Sequence, residues 1–71
     1  MASVIARLTD REREVAALVC NGLPNKTVAQ KLKVSEGTVK VHLHHIFQKL
    51  GVHGRAELPV VLLSARRWAT L

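Results

Sequence analysis

Seventy-one residues give one small domain with a single core, and with 48% of them hydrophobic the chain is not a disordered tail. A formal net charge of +6 points to a polyanionic partner, with nucleic acid ahead of an anionic membrane surface. No apolar run approaches the roughly 20 residues of a membrane span, the start Met1-Ala2-Ser3-Val4-Ile5-Ala6-Arg7 is too soon interrupted for a signal peptide, and the lone Cys20 excludes an internal disulfide.

Leu8-Thr9-Asp10-Arg11-Glu12 opens a first helix. Thr9 with Glu12 three residues on is a capping box. Asp10, Glu12 and Glu14 place negative charge at the positive end of the helix dipole. Glu12 and Glu14 lie two apart on a helix and point in different directions, so they do not form a catalytic carboxylate pair. Val15, Leu18 and Val19, with Ala16 beside them, make the inward stripe. Cys20 reads as a small hydrophobe on the same helix. Asn21-Gly22 ends it, with Gly22 as the cap.

After Leu23-Pro24 a short helix runs from about Asn25 to Leu32. Val28, Ala29 and Leu32 point inward, Lys26 and Lys31 outward. Lys33-Val34 leads into a longer helix, about Glu36 to Leu50, with Ser35 as N-cap and Gly51 as stop. Short helix, tight turn and longer helix form the helix-turn-helix spacing.

On the longer helix Val39, Leu43, Ile46 and Leu50 form a narrow apolar stripe. The opposite face carries Gly37, Lys40, Val41, His44 and Gln48. Its composition suits a DNA major groove: lysine donates to guanine, glutamine pairs with adenine, and a small apolar side chain touches the thymine methyl. An ordinary surface helix with one stray valine fits the same pattern, and this helix alone does not choose between them.

Gly51-Val52-His53-Gly54 is the next break. A fourth helix is expected from about Arg55, with Pro59 early in it, where a proline past the first turn would bend it. Leu58, Val61, Leu62, Ala65 and Ala69 form its core stripe. Ala56, Val60, Leu63 and Leu71 lie on the other side, broken by Arg67. A helix apolar on both sides needs a second partner. The expected fold is all-α, a four-helix bundle containing a helix-turn-helix, in a single domain over 1–71 with its core at about 7–66.

At this point the chain resembles the LuxR-type (LuxR/FixJ or GerE-type) helix-turn-helix domain of bacterial transcription regulators. The matching residues are Leu8-Thr9-x-Arg11-Glu12-x-Glu14-Val15, Gly22-Leu23-x-Asn25-Lys26 and Val28-Ala29. They continue as Leu32, Val34-Ser35-x-x-Thr38-Val39-Lys40-x-His42, Ile46-x-x-Lys49-Leu50-Gly51-Val52 and Arg55-Ala56-Glu57-Leu58. The resemblance implies sequence-specific binding of double-stranded DNA for transcription regulation, with the third helix as the recognition helix. It implies base contacts from Lys40, Val41 and His44, and phosphate contacts from Lys26, Thr38 and Lys49. Phosphate contacts set register and bulk affinity; base contacts set sequence preference. It further implies a homodimer on DNA through the fourth helix, where Val60 and Leu63 are the outward apolar pair. RNA polymerase is an additional candidate partner of such a regulator. No cofactor, metal or small-molecule ligand is expected in this domain, and the expected location is the bacterial cytoplasm, at the nucleoid.

The chain departs from the family pattern at three places. Pro24 stands where the family has serine or threonine as N-cap of the second helix, so either Asn25 caps or the helix starts with proline in its first turn. His44 stands where many members have lysine or arginine, and Pro59 is unusual in the fourth helix. Family members usually carry a second domain, a phosphoacceptor receiver or a small-molecule-binding domain, and the sequence leaves open whether this chain is the output domain of such a response regulator.

Rival functions fare worse. His42, His44 and His45 cluster, but only His42 and His45 have the helical spacing to share a metal, and no further ligands stand nearby. No nucleophile–base pair, Gly-rich phosphate loop or HExxH motif marks an enzyme. A helix-turn-helix used as a protein-interaction module without DNA is the alternative function, and the basic Lys26, Lys40 and Lys49 argue against it. A sigma-factor DNA-reading region shares the motif, but the ordered matches favour the LuxR type.

Overall fold

Local chemistry sets the ends of the helices. The computed structural model describes the backbone of residues 4–69 and the side chains of residues 6–63. A 3-10 turn (Val4–Arg7) precedes α1 (Asp10–Cys20), α2 (Asn25–Leu32) and α3 (Glu36–Leu50); a second 3-10 turn (Arg55–Glu57) leads into α4 (Leu58–Ala69). No strand occurs among the described residues, so the all-α, four-helix expectation holds.

The capping box of α1 is present in both directions. Thr9 Oγ1 accepts from the Glu12 amide at 3.1 Å, and Glu12 Oε1 accepts from the Thr9 amide at 2.8 Å. Ser35 caps α3, its Oγ accepting from the Thr38 amide at 3.1 Å. At α2 neither expected solution occurs. Pro24 itself takes the N-cap position in extended conformation, with no side-chain bond to the helix. Asn25 is the first helical residue, and its side chain is occupied elsewhere.

The first three helices stop by one device. A residue in the left-handed region follows each, and the next amide reaches back five residues to a helix carbonyl. Gly22 (φ 85°) precedes Leu23 N–H donating to Leu18 O, and Gly51 (φ 69°) precedes Val52 N–H donating to Phe47 O. At α2 the left-handed residue is Lys33 (φ 58°), with Val34 N–H donating to Ala29 O. A side chain there costs about 1–2 kcal/mol, and the tight turn into Ser35 holds it in place.

The fourth helix begins later than the spacing suggests. Arg55–Glu57 forms a 3-10 turn and the α-helix starts at Leu58. Pro59 therefore falls in the first turn of α4, where its missing amide has no intrahelical partner to lose, and the expected cause of a bend disappears.

α3 lies against both α1 and α2, and α4 packs on α1. Val39, Leu43 and Ile46 from α3 meet Val15, Ala16 and Val19 from α1 and Val28 and Ala29 from α2, with Leu8 and Leu58 closing the cluster. Leu18, Leu32 and Leu50 are partly buried around it. Small Ala29 permits the close approach of α2 to α3. Cys20 is half-buried against the same core, and burial pushes its thiol up in spite of nearby Arg55, which makes it a packing residue rather than a reactive thiolate. In α4 Leu58 is buried and Val61 and Leu62 are half-buried, while Val60 and Leu63 are exposed. The side chains of Ala65, Arg67, Ala69 and Leu71 lie outside the described residues, as does that part of the expected core.

Candidate nucleic-acid interface

The core stripe of α3 fixes what its other side can present. With Val39, Leu43 and Ile46 buried, Gly37, Lys40, Val41, His44 and Gln48 all stand exposed on the opposite face. Val41 is 54% exposed, a branched apolar side chain in water with polar groups on both sides. No carboxylate lies on this face. Glu36 at the first turn is off its axis and favours the helix dipole.

Two flanks border the face. On one, helical spacing aligns Thr38, His42, His45 and Lys49. Thr38 Oγ1 is 3.0 Å from the Ser35 hydroxyl, so the two exposed hydroxyls stand together at the start of α3. On the other flank, Lys40, Leu43, His44 and Phe47 line a notch shared with Asn25 and Arg55. The start of α2 therefore borders α3, and exposed Lys26 is its second residue. Thr38 and Lys49 thus border this exposed face on one side, and the start of α2 borders it on the other.

Arg55 builds that notch. Its Nη1 donates to Asn25 Oδ1 at 2.8 Å and its Nη2 donates to the Leu23 carbonyl. The guanidinium ties the turn before α4 to the turn before α2, some 30 residues away in sequence. It also explains why Asn25 does not cap. Hydrogen bonds from a charged donor are worth about 1.5–3 kcal/mol, so Arg55→Ala should lower stability by about that much in urea unfolding. A loss below about 0.5 kcal/mol would show that the clamp is ornamental.

On the other side, Lys49 Nζ lies 2.6 Å from Glu12 Oε1. The Glu12 side chain is 4% exposed and that of Lys49 36%. Burial alone would push the Glu12 carboxyl up, but the Lys49 ammonium and the Thr9 groups hold it below the ordinary carboxylate range. Neither link is visible in local spacing. Glu12 reads as a capping residue and Arg55 as part of a family pattern; their distant partners appear only once the helices are packed.

Lys40, Val41 and His44 thus fall together on one exposed face. Thr38 and Lys49 border it on α3, Lys49 with its ammonium at Glu12, and Lys26 stands exposed in the first turn of α2. Val60 and Leu63 lie on α4, away from this face in the chain and outside the notch. His42 is half-buried, while His44 and His45 are exposed with ring centres 6.1 Å apart. Among the described residues no three His, Cys, Asp or Glu side chains are grouped to hold a metal, and no helix is long and apolar enough to cross a membrane.

The chain is similar to known proteins. Residues 6–62 match the family model of bacterial regulatory proteins of the luxR family. The chain is 43% identical over 56 residues to the nitrate/nitrite response regulator protein NarL of Escherichia coli, covering 79% of this chain and 26% of that protein. It is 49% identical over 51 residues to a putative HTH-type transcriptional regulator of Mycobacterium tuberculosis, covering 72% of this chain and 6% of that protein. The solved low-resolution structure of the response regulator StyR superimposes with a TM-score of 0.81 at 43% identity, over 86% of this chain and 31% of that one. The chain therefore spans about a quarter of the length of the nitrate/nitrite regulator it matches. With a model match over most of its length and a helix-turn-helix at the centre of its fold, the chain belongs to the luxR family of bacterial regulatory proteins, as a DNA-binding transcription-regulator domain.

Proposed function

We propose that α3 enters the major groove of double-stranded DNA with Lys40, Val41 and His44 nearest the bases, and that Lys26, Thr38 and Lys49 meet phosphates on either side. The observation that carries this is the acid-free exposed face of α3, with a lysine, a valine and a histidine within two turns and cationic or hydroxyl groups on both flanks. A helix in the major groove has a phosphate backbone on each side, and the flanks of α3 match that arrangement. The α2 N-terminus adds its first-turn amides near Lys26, with no side chain of the N-cap residue bonded to them.

Two chains bind as a homodimer through α4, on a near-palindromic site with half-sites about one helical turn apart. The domain serves as the output end of a cytoplasmic response regulator, a reading supported by its similarity to the nitrate/nitrite response regulator and to the response regulator StyR. RNA polymerase is a further partner of the assembled regulator.

Lys40→Ala tests the base assignment. A good bidentate base contact is worth about 1–3 kcal/mol of discrimination, so the variant should weaken binding to a selected site more than to random duplex by roughly that amount. Equal loss on both would make Lys40 a phosphate contact. If the unaltered protein binds duplex with no salt dependence, the fold serves protein interaction instead.

A further inference from the structure

Glu12 is the buried charged side chain among the described residues, at 3% exposure. A capping box does not require that. Its purpose is met by the exchange with Thr9 at the start of α1, and a glutamate is seldom fully buried unless it is paired. Here the carboxylate is carried inward, and Oε1 takes a second donor from Lys49, 37 residues on and in the last turn of α3. The same oxygen thus binds the Thr9 amide at 2.8 Å and the Lys49 ammonium at 2.6 Å.

Lysine has three N–H donors. One is directed at Glu12, and the side chain is still about a third open to solvent. The ammonium is therefore held at the edge of α3 with donors to spare. A free lysine stem samples many rotamers, and ordering it on contact weakens binding; a stem already fixed loses less.

We propose that Glu12 is a positioning residue for DNA binding: its buried carboxylate fixes the Lys49 ammonium so that its remaining donors face a DNA phosphate beside the end of α3. The proposal rests on the reading of Lys49 as a phosphate contact. It gives a sign that bulk electrostatics does not. Glu12→Gln keeps an acceptor for the Thr9 amide and raises the formal net charge by one from +6. Charge alone then strengthens binding to DNA; loss of positioning weakens it.

The test is the affinity for a random-sequence duplex over a range of salt, for the unaltered chain, Lys49→Met and Glu12→Gln, each confirmed folded by circular dichroism. Lys49→Met should flatten the plot of log affinity against log salt by about 0.9, one phosphate. Glu12→Gln should flatten it by most of the same amount and bind more weakly in spite of its extra positive charge. An unchanged slope in Lys49→Met removes the phosphate reading and the positioning proposal with it. A flattened slope in Lys49→Met beside unchanged or tighter binding in Glu12→Gln leaves the phosphate reading standing and overturns the positioning. If Glu12→Gln does not fold, nitrogen-15 NMR of the Lys49 ammonium in the unaltered chain decides. The signal should be rigid without DNA and shift when duplex is added; a mobile ammonium, or no shift, overturns the proposal.

Discussion

Ile46→Ala should lower the free energy of unfolding by about 2–5 kcal/mol. Ile46 is completely buried at the middle of α3, where that helix meets the other elements of the core. Truncation removes the transfer energy of the lost carbons and leaves a cavity that rigid neighbours fill only in part. A domain of this size has a total stability at the low end of about 5–15 kcal/mol, so the variant should be largely unfolded at physiological temperature without DNA. Val41→Ala, five residues earlier on the exposed face, should change stability by less than about 0.5 kcal/mol. Urea unfolding followed by circular dichroism checks both. Comparable losses at the two positions would mean that the core and exposed faces of α3 have been exchanged.

That contrast between faces was legible in the sequence because a helix obeys one periodicity. Once Val39, Leu43, Ile46 and Leu50 define the inner stripe, Lys40, Val41 and His44 have no other place to stand. Caps were legible for the same local reason: Thr9 with Glu12, Ser35, and the glycines at 22 and 51 act within a few residues of themselves. Where the local signal is missing, the reading stops. Nothing in Lys33 announces a left-handed residue, since the tight connection between α2 and α3, and not the side chain, demands it. The late start of α4 coincides with a long-range clamp: Arg55, at the head of the 3-10 turn, is bonded through its guanidinium to Leu23 and Asn25. The Glu12–Lys49 pair spans 37 residues, and such distances become short only after the helices have crossed. The general rule is that periodicity assigns faces, while tertiary packing assigns partners.

Val60→Glu combined with Leu63→Glu should abolish cooperative binding to a duplex carrying two half-sites, and leave binding to a single half-site intact. Val60 is 67% exposed and Leu63 61%, three residues apart on one face of α4. Single exposed apolar residues are common and carry little meaning. Here Leu63 itself lines a largely apolar groove between α1 and α4, with Leu8, Ala17, Pro59 and Leu62 and with Arg13 and Asn21 among its walls, which extends the patch a partner would cover. One short helix per chain makes a small contact, so self-association without DNA should be weak. In the proposed dimer the first chain on DNA would raise the effective concentration of the second, and linked binding of this kind exceeds either half alone by about 100- to 10,000-fold. That gain is what the two glutamates should remove, because a two-fold contact brings four new carboxylates into one apolar seam. Both residues face solvent, so helical circular dichroism should be unchanged. Loss of helicity would place them in the core, and cooperative binding that survives would move the dimer contact to another surface of the domain.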